Sequence, residues 1–133
     1  SPPAPMVIYL AGSIPFQFSS NLSLNLAAPT SGTYKGILID APTDVASSNA
    51  CVHGKGNNNL VNGEIYFDFG SSTVSLNGAV YAPQAHLFLQ DQGAAVTINS
   101  DLDIGTLCQQ SADVTIAGQT NGNSPTTRIG LVE

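Results

Sequence analysis

The sequence predicts an all-β fold, a short β-solenoid of few coils resembling a parallel β-helix, with an antiparallel β-sandwich as the alternative. Three observations lead there. First, a short phrase returns three times, as Ser72-Thr-Val-Ser-Leu-Asn-Gly78, Ala94-Ala-Val-Thr-Ile-Asn-Ser100 and Ala112-Asp-Val-Thr-Ile-Ala-Gly118. Each copy alternates in period 2, with aliphatic residues inward and Ser, Thr or Asn outward, and closes on a residue suited to a tight corner. Second, another phrase interleaves with it: Gly63-Glu-Ile-Tyr-Phe67, Gly78-Ala-Val-Tyr-Ala82 and, more loosely, Ser100-Asp-Leu-Asp-Ile104. Taken as starts, these mark units 63–77, 78–99 and 100–117, of 15, 22 and 18 residues, close to the roughly 20-residue coil of a repeat architecture. Third, only 9% of the 133 residues are charged, against about 25% in ordinary soluble proteins, so the polar positions are filled by uncharged hydrogen-bonding side chains. The unequal units keep the sandwich open, because it too alternates strands with Gly-rich corners.

The elements follow in order. Ser1-Pro-Pro-Ala-Pro5 reads as a stiff polyproline linker, since its prolines lack the N–H that a sheet interior needs. A single β domain then spans 6–133, a length that suits one core. Met6-Val-Ile-Tyr-Leu-Ala11 is an uninterrupted apolar strand closed by Gly12. It either docks within its own chain or, through Met6, Val7, Ile8, Tyr9 and Leu10, completes the sheet of a neighbouring molecule. Phe16-Gln-Phe18 and Leu22-Ser-Leu-Asn-Leu26 alternate in period 2, and Ala27 to Gly32 turn the chain before Tyr34-Lys-Gly-Ile-Leu-Ile39. Residues 40–60 break the pattern and read as a long loop containing Cys51, with Asp40 and Asp44 expected to cap its Pro turn. Beyond the repeats, Gln119 to Thr127 is a second polar loop and Ile129-Gly-Leu-Val132 a last strand.

Charge excludes whole classes of function. The net charge of −6 sets nine carboxylates against Lys35, Lys55 and Arg128. Three scattered cations cannot replace the counterions of a phosphate backbone, so nucleic acid is not a partner. The same scarcity speaks against anionic lipid, and no apolar run reaches the ~20 residues of a membrane helix. An enzyme reading finds little to work with. Neither His53 nor His86 has a sequence neighbour that would make it a base, and the nucleophile-elbow and zincin motifs do not occur. No cofactor is expected.

The candidate sites are few. Cys51 and Cys108 are the only cysteines. A bridge between them closes a loop of 58 residues, is worth about 4 kcal/mol by the chain-entropy estimate, and implies an oxidising compartment. The competing reading, a metal held by Cys51 and His53, lacks a second ligand pair. Asp101 and Asp103 lie on one face of a strand and are a weak calcium candidate, against the plain reading of solvated strand-end carboxylates. Nine aromatic residues include no Trp. Tyr66 and Tyr81 each follow a glycine by three residues, so the unit alignment expects them to stack on one outward side, a ladder for sugar rings or a partner protein.

The chain resembles the C-terminal β-rich region of TadG-like proteins of the bacterial tight-adherence (Flp) pilus system. Four stretches carry the resemblance: Thr30-Ser-Gly-Thr-Tyr-Lys-Gly-Ile-Leu-Ile39, Gly63-Glu-Ile-Tyr-Phe67 with Leu76-Asn-Gly-Ala-Val-Tyr-Ala-Pro83, Leu107-Cys-Gln-Gln-Ser-Ala-Asp-Val-Thr-Ile-Ala-Gly118, and the Leu131-Val-Glu133 ending. It spans roughly residues 22 to 133. Such proteins usually carry an N-terminal membrane anchor, and many a von Willebrand-type domain, whereas this chain opens on a Pro-rich segment. The resemblance implies an extracellular or cell-surface module linked to adhesion and pilus biogenesis, with no catalytic residues to carry over. The expected function is therefore that of a non-enzymatic structural or adhesive component of a surface appendage, self-assembling into a filament through strand edges or its N-terminal strand. Its partners would be itself or pilus and envelope proteins. The alternative is a monomeric glycan- or partner-binding module.

Overall fold

A computed structural model describes residues 3–19, 23–47, 61–68, 70, 73–90, 95–110 and 113–118. Among them the protein is all-β, with no helix and ten strands. These are β1 (Ile8–Tyr9), β2 (Phe16–Ser19), β3 (Leu24–Ala27), β4 (Ile37–Asp40), β5 (Glu64–Asp68), β6 (Val74–Asn77), β7 (Ala79–Gln90), β8 (Ala95–Asn99), β9 (Leu102–Gln110) and β10 (Asp113–Ile116). Six form one curled sheet in the order β1-β4-β7-β5-β2, with β9 added on β7. The other four form a second sheet in the order β10-β8-β6-β3.

Among the described residues every strand pair is parallel. This sets aside the antiparallel sandwich and agrees with an all-β, solenoid-like class. Parallel neighbours cannot be joined by a tight hairpin; each strand must wait for the chain to travel away and return. Asn77 and Asn99, partners in register, are 22 residues apart, which is the spacing of the repeated phrase. The phrase itself becomes the smaller sheet: Val74 pairs with Val96 and Val96 with Val114, while Leu76, Ile98 and Ile116 align in the same way.

The second phrase aligns differently from the expectation. β7 is one long strand whose first half pairs with β4 and whose second half pairs with β5. Glu64-Ile-Tyr-Phe67 therefore lies beside His86-Leu-Phe-Leu89, whereas Val80 and Tyr81 lie beside Ile39 and Asp40. The register with β9 shifts between Ala82 and His86, where Pro83 to Ala85 of β7 stand against Gly105 alone.

Alternation builds the core. Leu38, Ile39, Ile65, Phe67, Val74, Leu76, Val80, Leu87, Leu89, Val96 and Ile98 are all buried in one cluster. Each is worth about 1.5–3 kcal/mol on burial. Phe16 and Phe18 of β2 close on Phe67, with ring centroids 6.2 and 6.0 Å away. On the outward side of the smaller sheet, Asn99 Nδ2 donates to Asn77 Oδ1 at 3.1 Å, and Asn77 Nδ2 donates to Asn25 Oδ1 at 3.2 Å. This amide ladder joins three strands.

Two glycines at positive φ are sterically required. At Gly63 (φ 74°) a Cβ would collide with the backbone of Val45 and Ala46, which crosses directly over it. At Gly78 (φ 141°) a Cβ would stand 2.5 Å from Ala28 Cβ and 2.9 Å from Leu38 Cβ. The second contact lets β6 turn sharply into β7 against the first part of the chain.

Candidate functional site

The outward residues of the larger sheet fall into two groups. Along β5, the second half of β7 and β9, the outward rows are Glu64 with His86 and Thr106, then Tyr66 with Phe88 and Cys108, then Asp68 with Gln90 and Gln110. In the first two rows Glu64, Tyr66, His86, Phe88 and Cys108 are buried and Thr106 is half-buried. The chain on either side of the long loop is tied to the start of these rows: Ala46 N donates to Gln84 O at 2.9 Å and Ser47 N to Asn62 O at 3.0 Å.

Tyr66 is therefore not the surface residue that alternation suggested. It lies on the expected side of the strand, opposite Ile65 and Phe67, but is 4% exposed. It forms a small cluster with Phe88, at 5.4 Å between ring centroids, and Cys108. Its hydroxyl donates to Gln90 Oε1 at 2.6 Å. Burial, with the Asp68 and Glu64 carboxylates, pushes its ionisation up to about 12. Nor does Tyr66 stack on Tyr81. Its neighbours in register are Gln17 and Phe88, while those of Tyr81 are Asp40 and Asp103.

Beside Tyr81 the register instead makes a row that sequence reading missed. Tyr9 pairs with Asp40, Asp40 with Tyr81 and Tyr81 with Asp103, so Tyr and Asp alternate across four parallel strands. Their inward neighbours, Ile8, Ile39, Val80 and Leu102, belong to the core or pack against it. Tyr9 is 54% exposed, Asp40, Tyr81 and Asp103 are half-buried, and exposed Tyr34 adds a ring 6.5 Å from that of Tyr9. Burial raises the ionisation of the Asp40 carboxyl above the usual range. Only a comparison of residues far apart in sequence could have found this row, because four different local phrases contribute to it.

The remaining candidates resolve unequally. Asp101 is exposed and Asp103 half-buried, and the described residues contain no cluster of three or more metal-ligating side chains. Cys51 and His53 lie outside the described residues. Cys108 is buried, and the described residues include no free cysteine. The Ile8–Tyr9 strand lies parallel to β4 of its own chain; Leu10 N donates to Asp40 O at 2.9 Å and Met6 N to Ala27 O at 2.9 Å. Pro5 already bridges to Ala27, so the chain meets the sheet within the expected linker.

Asp44 departs from its expected role as a turn cap. Its backbone N–H does close a turn on Ala41 O at 3.3 Å, but both carboxyl oxygens are buried without a hydrogen-bond partner. Burial raises its ionisation, an effect offset in part by the Ile14 N–H, which is itself donated to Gly12 O at 3.0 Å.

The two ends of the stack differ from its middle. On β9 and β10, Leu107 and Ile116 continue the inward rows of Leu87 and Ile98, yet are 39% and 46% exposed. At the other end, Phe16, Phe18, Leu24 and Leu26 of β2 and β3 are only partly buried against the core. No helix among the described residues is long and apolar enough to cross a membrane. Comparison with protein-family models, with curated proteins and with solved structures finds no match.

Proposed function

We propose that this protein is a β-solenoid of few coils that works without catalysis, as a structural or adhesive component of a bacterial surface appendage, and that it assembles end to end with copies of itself. One observation carries the reading: the inward apolar rows run out to both ends of the parallel stack and are left half-covered there. An unfinished parallel edge offers backbone groups for pairing and an apolar floor to bury, and a second copy supplies both in matching form. Contact between two different ends does not close on itself and so propagates as a filament. The TadG-like motifs support an extracellular setting, as do the scarce charges. The N-terminal strand takes a lesser part in this version, because it lies against its own β4. The Cys51–Cys108 bridge belongs to the same reading, as the tie that holds a long loop to the stack.

Negative-stain electron microscopy of the purified, unreduced protein tests this. Ordered filaments are expected, and Ile116→Asp should disperse them while leaving the β circular-dichroism signature intact, because Ile116 is already 46% exposed. Dispersed particles from the unaltered protein would remove the polymer. The same sample, denatured without reductant, should titrate no thiol; a reacting thiol would remove the bridge.

A further inference from the structure

We propose that the Tyr9, Asp40, Tyr81, Asp103 row, widened by Tyr34, is a binding site for an extended β-linked polysaccharide whose sugars carry protonated amino groups. The reading is independent of end-to-end assembly. Adjacent strands are about 4.8 Å apart, so like residues recur every two strands, about 9.5 Å along the row. That is the scale of one disaccharide in an extended β-linked chain, so a polymer lying across the strands would present the same sugar face to each tyrosine and the same substituent to each aspartate.

The chemistry of each position fits. Exposed tyrosine rings stack on the C–H faces of pyranose rings and attract cations over their π-faces. Aspartates accept charge-assisted hydrogen bonds from ammonium groups, which are about twice as strong as neutral ones. Charge selects an amino sugar over an acidic one. Asp101 adds a third carboxylate at this edge, and Lys35, exposed next to Tyr34, is the only Lys or Arg among the described residues. An anionic glycan would meet repulsion at Asp40, Asp103 and Asp101, whereas a cationic one meets complementary charge there, with Lys35 set at the Tyr34 end.

The test is calorimetric titration of a β-linked glucosamine hexamer into the Ile116→Asp protein, which keeps the sample dispersed so that a failure here is separate from a failure of assembly. Binding is expected, weakened at least tenfold by Tyr81→Ala and by Asp40→Asn, and reduced by added salt. Tyr9→Ala, at an exposed position on a short edge strand, should weaken binding with the fold unchanged by circular dichroism. No binding would overturn the proposal. So would equal affinity for the N-acetylated hexamer, which lacks the charge, or for an oligolysine peptide, which lacks the sugar face.

Discussion

Two stretches of one sheet, both outward by the same alternation, meet different fates. At the β5 end, Glu64 and Tyr66 point away from the core and are nonetheless buried. At the β4 end, Tyr9, Asp40 and Tyr81 point away from the core and remain open or half-open. Local periodicity sets the face of a strand that a residue occupies, but exposure depends on what the rest of the chain lays over that face. Here Val45 to Ser47 meet the sheet where the first stretch begins, at Gly63 and Gln84, while the second stretch keeps Tyr9 exposed and Asp40 and Tyr81 half-buried.

The sharpest way to break this comparison is to truncate one tyrosine from each stretch. Tyr66→Ala should cost about 3–5 kcal/mol, the range for removing a large buried aromatic side chain, because it also strands Gln90 and opens a hole beside Phe88. Tyr81→Ala should cost under about 1 kcal/mol. Chemical denaturation of the two variants reads the difference, and equal losses would mean that both faces are covered alike. Gly63→Ala attacks the crossing at Val45 and Ala46. A Cβ there meets the Val45 and Ala46 backbone at a positive φ, so a loss of about 2–3 kcal/mol is expected. Proteolysis should then cut near residues 45–47 before the rest of the chain; unchanged stability would show that the crossing segment moves aside freely.

Asp44→Asn sharpens the comparison in the stabilising direction. The folded carboxyl ionises above its ordinary value, so its stability is complete below the unfolded pKa, near 3.8, and declines as pH rises through the folded one. Asparagine removes that decline. The variant should be more stable at pH 7, because its amide stays neutral where the buried carboxyl must ionise, and the advantage should vanish toward pH 3. Thermal melts across that range decide the matter, and an advantage independent of pH would refute the account.

Much of the architecture was legible in the repeated phrase. Val74, Val96 and Val114, aligned by sequence alone, are neighbours in register, because identical inward residues at matched corners are what a parallel stack requires. The second phrase misled for an equally physical reason. Gly63 and Gly78 look alike in sequence, but β7 runs through its register shift at Pro83 to Ala85 without a glycine or asparagine to announce it. The strand that pairs with Glu64-Ile-Tyr-Phe67 thus begins just after Pro83, a break inside one continuous strand and not the glycine corner the phrase led one to expect. The Tyr and Asp row was illegible because its members come from four separated segments, and the burial of Tyr66 because Phe88, Gln90 and Cys108 come to it from other strands.

The all-parallel pairing also governs how quickly the protein reaches its native state. Among the described strands, partners lie from 18 residues apart, as Ala95 and Asp113 do, to 50, as Leu24 and Val74 do, so each pairing must wait for a long segment to close. The first such closure is entropically uphill and nearly unrewarded, whereas each later one lands on an ordered strand that already displays the correct hydrogen-bonding pattern. Parallel pairing of this kind favours a slow start followed by templated addition, each described strand of the smaller sheet repeating the inward pattern of the one beside it.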